Sequence, residues 1–375
     1  MKLQVLQQDL SKALSWATRF ASQKAQLPVL GNILLSTKKT KLLVSSTNLE
    51  TSIAIFLGAK VEKEGEITIP AKVINDLVLN LKTETLSLEA AKEQLKISGE
   101  SFSSTISGMN SSDFPKVPSE IDKSTAIPLS RNSFLSSLSQ VFFAVSFDET
   151  RPTLTGVLFI VAANHLTLVA TDGFRLSQKK MTLSFSKKKT PTQIIIPKSI
   201  LSEITRIPEE NEEILFSFSD KENNVVFGLP DTIISSRVLE GEFPNFEKII
   251  PKASGIKILL DKEDFLRSVK LASVFARDSA NVVKIKIGKD SLGFFAESSS
   301  AGSQENKIDA KVEGDPELVE GLEIAFNYRF LEDFLHVVVG DEVEMKLNDA
   351  ASPAIFKDPK DPDFLHLIMP VRIQT

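Results

Sequence analysis

The chain has 375 residues, of which 42% are hydrophobic and 25% charged, with 44 Lys and Arg against 49 Asp and Glu for a formal net charge of −5. These proportions describe a globular chain throughout and exclude a long disordered region; a protein that holds a polyanion tightly by charge alone would be basic. With no cysteine, disulfides, thiolate zinc sites and thiol nucleophiles are excluded together, which suits a reducing compartment. The start Met1-Lys2-Leu3-Gln4-Val5 lacks the apolar core of a signal peptide. Apolar runs such as 156–163 fall far short of the roughly 18 to 20 residues of a membrane span, so a cytoplasmic location is expected.

In chain order the same elements recur three times at a period of about 125 residues. The first copy opens on a helix face at Leu10 and Leu14, continues through a strand at 41–45, and then runs Ile67-Thr68-Ile69-Pro70 into Val73, Ile74 and Leu77. In the second, Phe134 and Leu138 are followed by strands at 156–161 and 165–170, and Ile194-Ile195-Ile196-Pro197 leads into Ile200, Leu201 and Ile204 before a strand at 225–229. The third has Phe265 and Val269, a strand at 282–287, Ile324-Ala325-Phe326-Asn327 leading into Phe330, Leu331 and Phe334, and a strand at 343–347. Steps of i, i+4 mark helix faces, while short runs rich in branched residues between turn formers mark strands. Each copy is of domain size and can bury its own core, unlike the units of a solenoid. The expected fold class is therefore α+β, three tandem two-helix, two-sheet domains with antiparallel sheets. Boundaries fall within 118–125 and 251–255, giving domains 1–121, 122–253 and 254–375.

Little in the chain serves catalysis. The three histidines, His165, His336 and His366, do not stand at ligand spacing, and no complete phosphate-binding loop is present. Asp172 lies in a Thr-Asp-Gly turn; Thr47-Asn48 holds the same place in the first copy, where a catalytic acid would be lost, so a turn-forming role is expected. No metal or cofactor is expected. Over the six helix segments the charges sum to +3, against −8 for the rest of the chain, which reads either as positive charge relatively concentrated on the helices or as scatter.

Five segments carry a family resemblance: Leu27-Pro28-Val29-Leu30-Gly31-Asn32, Arg151-Pro152-Thr153-Leu154-Thr155-Gly156, Ala170-Thr171-Asp172-Gly173-Phe174-Arg175-Leu176, Gly241-Glu242-Phe243-Pro244 and Met369-Pro370-Val371-Arg372. In that order, on a threefold repeat, the chain resembles the bacterial DNA polymerase III beta subunit, the sliding clamp, over essentially its whole length. The resemblance implies a non-catalytic processivity factor. It would be a head-to-tail homodimeric ring of six domains, with helices lining a hole for double-stranded DNA and sheets outside, tethering the replicative polymerase, the clamp loader and other proteins that carry clamp-binding peptides. The other reading is a non-catalytic repeat-domain scaffold that does not encircle DNA.

The resemblance also implies sites. A partner-peptide wall would comprise Leu154, Thr171, Gly173, Phe174, Arg175, Leu176, Pro244, Ile249 and Phe330, together with the C-terminal run Leu367, Ile368, Met369, Pro370, Val371 and Arg372. Arg175 and Arg372 are expected at its rim, holding polar or acidic peptide atoms. DNA contacts would come from Lys24, Lys72 and Lys198; the 146–150 loop carries two acids where the family loop meets DNA. Ile106, Val274 and Phe275 align with the dimer interface. Phe174, Phe330, Lys248 and Pro353 depart from the residues usual at their positions, and the chain runs two residues past the customary end, to Gln374-Thr375; altered peptide preference follows.

Overall fold

A computed structural model of the chain describes residues 1–22, 27–183, 191–207, 212–319 and 321–372. Among the described residues the helices are α1 (Gln7–Thr18), α2 (Ala71–Leu79), α3 (Arg131–Phe142), α4 (Lys198–Arg206), α5 (Lys262–Ala276), α6 (Pro316–Val319) and α7 (Tyr328–Val337). Six of these are the expected pairs. α6 is an additional single turn, started by Pro316 with Asp315 Oδ1 accepting the Glu317 N–H at 3.0 Å. α5 runs on beyond the expected face of Phe265 and Val269 because its apolar side continues through Ala272 and Ala276, and Asp261 caps it by accepting the Asp264 N–H at 2.9 Å. The strand-to-helix signal holds at each Ile-rich run: Pro70 precedes α2, Pro197 precedes α4, and Asn327 caps α7 by accepting the Arg329 N–H at 3.0 Å. Among the described residues no helix is long and apolar enough to cross a membrane.

The contacts divide the chain into two compact units, 1–131 with 199–238 and 132–198 with 239–375. In the first, a five-stranded sheet runs in the order Lys60–Lys63, Lys2–Leu6, Thr85–Ala91, Gln94–Ser98, Ser103–Ser107. Its eight-stranded sheet runs Ile127–Ser130, Glu213–Ser219, Asn224–Gly228, Thr232–Arg237, Thr51–Gly58, Lys41–Thr47, Asn32–Lys38, Glu66–Pro70. All pairings are antiparallel, as short connections require. α1 buries Leu10, Ala13, Leu14 and Ala17 against the sheet. Two repeats meet inside the larger sheet, where Ile234 lies opposite Ile53. Beside that seam Arg19 holds Glu203 in a fork, Nε to Oε2 at 2.5 Å and Nη2 to Oε1 at 2.8 Å.

The second unit repeats this construction. Its nine-stranded sheet runs Thr192–Pro197, Gly156–Val161, His165–Thr171, Arg175–Thr182, Asp361–Ile368, Ala354–Asp358, Glu342–Leu347, Ile256–Asp261, Lys311–Gly314. A four-stranded sheet runs Gly302–Asp309, Ser291–Ser298, Val282–Ile287, Glu323–Asn327. Strand Val282–Ile287 alternates buried and exposed residues along most of its length, the mark of one buried face. The core centres on Phe334, whose ring lies 5.6 Å from those of Phe356 and Phe364.

Candidate functional site

The turn between strands His165–Thr171 and Arg175–Thr182 builds one wall. Thr171 Oγ1 donates to the Arg175 carbonyl at 2.6 Å, while Asp172 Oδ1 accepts the N–H groups of Phe174 and Arg175 at 2.9 and 3.0 Å. Gly173 sits at φ +93°, where a side chain is strained, and a Cβ there would come within 2.9 Å of Arg151 Nη1. The turn presents Phe174 to solvent at 61% exposure. The first repeat makes the same turn, with Asn48 Oδ1 accepting the N–H groups of Glu50 and Thr51 at 3.0 and 2.7 Å. Asp172 is accordingly committed to the turn, as expected.

The C-terminal segment forms the second wall. Leu367 lies opposite Leu176 and Ile368 opposite Arg175 in the sheet. Beyond the strand, Met369 N donates to the Phe174 carbonyl and Val371 N to the Ala325 carbonyl, both at 2.8 Å. The segment is thus laid between the turn and the strand that leads into α7. Leu367 and Ile368 are buried; Met369, Val371 and Arg372 are exposed and Pro370 is half-buried.

A third wall comes from the segment around Leu154, which is buried in the short 3-10 turn Pro152–Leu154. Gly241, at φ +118°, lies so close to that turn that a Cβ would meet Thr153 Cγ2 at 2.8 Å, which seats Phe243-Pro244 beside it. Pro244 and Ile249 are exposed, and below them Phe246 joins Leu158, Leu176 and Leu367 in one buried cluster. All of the expected wall residues belong to one compact unit.

Arg175 departs from expectation. It is only 8% exposed, and its guanidinium is fully engaged: Nε with Asp172 Oδ2 at 3.0 Å, Nη1 with Asp333 Oδ2 at 2.6 Å, and Nη2 with the Phe143 carbonyl at 2.6 Å. It lies 4.4 Å from the centroid of half-buried Phe330. Burial and pairing make it the anchor of the wall, not a rim contact; Arg372 alone of the two arginines faces solvent.

Two participants escaped the sequence reading. His366, fully buried behind Leu367, shares a hydrogen bond with Ser177 Oγ at 2.7 Å and stacks on Phe334 at 5.3 Å. Burial, aided by the Arg175 charge, pushes its pKa well below the usual imidazole value. Phe147 is 82% exposed, and Lys198 Nζ stands 3.8 Å from its ring centroid and 5.1 Å from that of Phe142. Burial lowers the Lys198 ammonium pKa, with the Arg175 charge adding to the effect. The signal for Phe147 was its place in the acidic 146–150 loop. Asp148 there is already taken up by Thr150 and by Arg151 Nε at 2.9 Å.

Of the expected DNA contacts, Lys72 is exposed in the first turn of α2, Lys198 is half-buried at the start of α4, and Lys24 lies outside the described residues. Ile106 is buried on strand Ser103–Ser107, while Val274, 57% exposed, and half-buried Phe275 lie in the last turn of α5.

Sequence models of the DNA polymerase III beta subunit match along the chain: the N-terminal domain over residues 1–118, the central domain over 128–245 and the C-terminal domain over 247–372. A beta sliding clamp of Synechococcus elongatus is 28% identical over 382 residues, covering 100% of both chains, and one of Staphylococcus aureus is 31% identical over 363 residues, covering 94% of both. The solved DNA polymerase sliding clamp from Bacillus subtilis matches with a TM-score of 0.93 at 25% identity, covering 100% of both chains. Fold and relatives together define the class, a three-domain DNA sliding clamp. The chain belongs to the DNA polymerase III beta subunit family, and its function is that of a non-catalytic clamp in DNA replication.

Proposed function

We propose that two copies close head to tail into a cytoplasmic ring around duplex DNA, helices toward the hole and sheets outside, with domains 1–121, 122–253 and 254–375 in each. The observation that carries this is a series of strand pairings. Thr51–Gly58 pairs with Thr232–Arg237, and Arg175–Thr182 with Asp361–Ile368. The third members of the two series are Gly302–Asp309 and Ser103–Ser107, and each is the edge strand of its own sheet. Every copy therefore offers one open edge of either kind, a heterologous contact that closes when the rotation per domain divides the circle.

The helices continue the series. Counting by repeat, Arg19 and Val274 hold equivalent positions, as do Glu203, Asp333 and Asp76. Arg19 grips Glu203; between copies the same places offer Val274 and Asp76, so that ion pair is absent from the join. The apolar residues Val274, Ile106 and Phe275 thus stand at the join between copies. Val274→Asp is expected to give monomers by light scattering, and an undisturbed dimer would refute the interface. Retention on nicked circular DNA that exceeds retention on the linearised molecule supports encirclement. Equal retention would favour a scaffold that never surrounds DNA.

Lys24, Lys72 and Lys198 serve as sequence-independent phosphate contacts, few and weak enough to permit sliding. The wall around Phe174, Phe330 and Met369 takes extended apolar peptides of the replicative polymerase, the clamp loader and other clamp-binding proteins, Met369 adapting to different side chains. Ending the chain after Met369 removes Pro370, Val371 and Arg372 together with the bond to Ala325. Capture of a polymerase peptide in fluorescence polarisation should then vanish while the dimer persists; capture at the original affinity would contradict the assignment.

A further inference from the structure

One place in the repeat is filled in one compact unit and hollow in the other. In the unit 132–198 with 239–375, Lys179 extends its stem there, 13% exposed, and bonds both oxygens of Asp361 at 2.5 and 2.6 Å; Gln140 Nε2 donates to the same carboxylate at 2.9 Å. The register that sets Leu14 against Leu138 and Thr47 against Thr171 puts Trp16 in the place of Gln140 and Ile55 in the place of Lys179. No lysine enters. Between α1 and strand Thr51–Gly58 there is instead a cavity of about 420 Å³, lined by Trp16, Ile53, Ile55, Asp9, Lys12 and Asp231 among others.

That volume is ample for a side chain and part of its backbone. Ile53 and Ile55 are buried beneath it, whereas Asp9 and Trp16 are half-buried and Lys12 is exposed. Trp16 is the single tryptophan of the chain. Among the described residues its ring faces no other ring or cation, and Asp9 makes no hydrogen bond or ion pair. Asp231 pairs with Lys41 at 2.9 Å, an exposed contact that contributes little and exchanges readily. Asp9 is thus the unpaired carboxylate lining the cavity, beside an indole, the best aromatic face for a cation.

We infer that this cavity receives an arginine or lysine side chain of a partner protein, its stem against Trp16, Ile53 and Ile55 and its cation at Asp9 and Asp231. The sister unit holds a lysine, Lys179, at the equivalent strand position, with its carboxylate supplied by Asp361 at the place of Leu229. The site lies at the Gly58 end of its strand, away from the Asn48 turn, and in the compact unit that does not contain the peptide wall. It is independent of capture at Phe174 and Met369.

Trp16 emission reports occupancy directly. The full-length protein is titrated with acetyl-Leu-Arg-Leu-amide and with its neutral isostere acetyl-Leu-citrulline-Leu-amide. A saturable change with the arginine peptide is expected, about fivefold weaker for citrulline and about fivefold weaker in Asp9→Asn. Ile55→Lys supplies the lysine of the sister unit and is expected to abolish the response while leaving polymerase-peptide capture intact. Equal responses to the two peptides, or an undiminished response in either variant, would overturn the assignment. Because polymerase-peptide capture is read separately, failure here leaves the wall assignment standing and the reverse.

Discussion

Arg175 shows how one buried charge can hold a binding surface in shape. Its three polar partners come from its own turn, from the end of α3 and from α7, so the guanidinium ties these elements together behind the proposed peptide wall. Arg175→Met keeps the stem and removes the fork. Asp172 retains its bonds to backbone N–H groups, and Asp333, 42% exposed, can hydrate, so the expected cost is about 2 to 3 kcal/mol of unfolding free energy, the worth of charge-assisted bonds. Urea denaturation measures it, and an unchanged midpoint would remove the anchor from the account. Behind it, His366 makes the same region acid-sensitive. Its folded pKa is depressed, so the unfolded chain binds the proton more readily; the contribution is whole above the ordinary value near 6.5 and is lost as pH falls from there toward the folded value. Between pH 7.5 and 5 the protein should lose stability with a slope of up to about 1.4 kcal/mol per pH unit from this group. His366→Leu, whatever its baseline, should flatten that slope. Thr171 to Leu176 and Leu367 to Arg372, which lie side by side, were legible as contiguous runs; their role as a peptide wall is a proposal. The anchoring role of Arg175 was not legible, since its partner Asp333 lies 158 positions away.

At the level of elements, local chemistry was readable and pairing was not. An apolar run ending in Pro70, Pro197 or Asn327 announces a strand and then a helix, because proline or a capping side chain suits the first turn. Asp261 is the clearest case: its carboxylate accepts the Asp264 N–H, so Asp261→Ala should cost about 1 kcal/mol in chemical denaturation. A loss near zero would mean that α5 is held by packing alone. α6 left no periodic trace because four residues complete barely one turn. The seams between repeats were equally invisible. Ser52 meets Ser235 across 183 positions, and nothing in either strand names the other. Threefold repetition compensates in part: once one seam is seen, its equivalents can be counted out, and the two open edges stand as the remaining members of the series.

For the whole molecule, repetition supplies geometry and substitution decides its use. Arg237 N bonds the Glu50 carbonyl at 2.8 Å, as Met369 N bonds that of Phe174, so both seams share one backbone plan. The first, however, carries Leu49 at φ +77°, Glu50 and Arg237 where the second carries Gly173, Phe174 and Met369. Apolar anchors are lost, and calorimetry should count one polymerase peptide per chain. The join between copies follows the same logic with a different outcome. Strand Ser103–Ser107 reads Ser-Ser-Thr-Ile-Ser without a charge, and Val274 stands where the first internal seam has Arg19, so the equivalent Asp76 finds no arginine there. Ionic joins weaken as salt screens them, whereas apolar burial is unaffected or strengthened by sulfate. The dimer constant from sedimentation should therefore stay within about threefold between 0.05 and 0.5 M sodium chloride and tighten in sodium sulfate. The phosphate contacts proposed for Lys72 and Lys198 should obey the opposite rule and fade with salt. A copy already threaded on a nicked circle should thus remain there at salt that abolishes binding to a short duplex, because its retention depends on closure of the join and not on those contacts. Loss from the circle in parallel with loss from the short duplex would show that charge, not closure, holds this clamp to DNA.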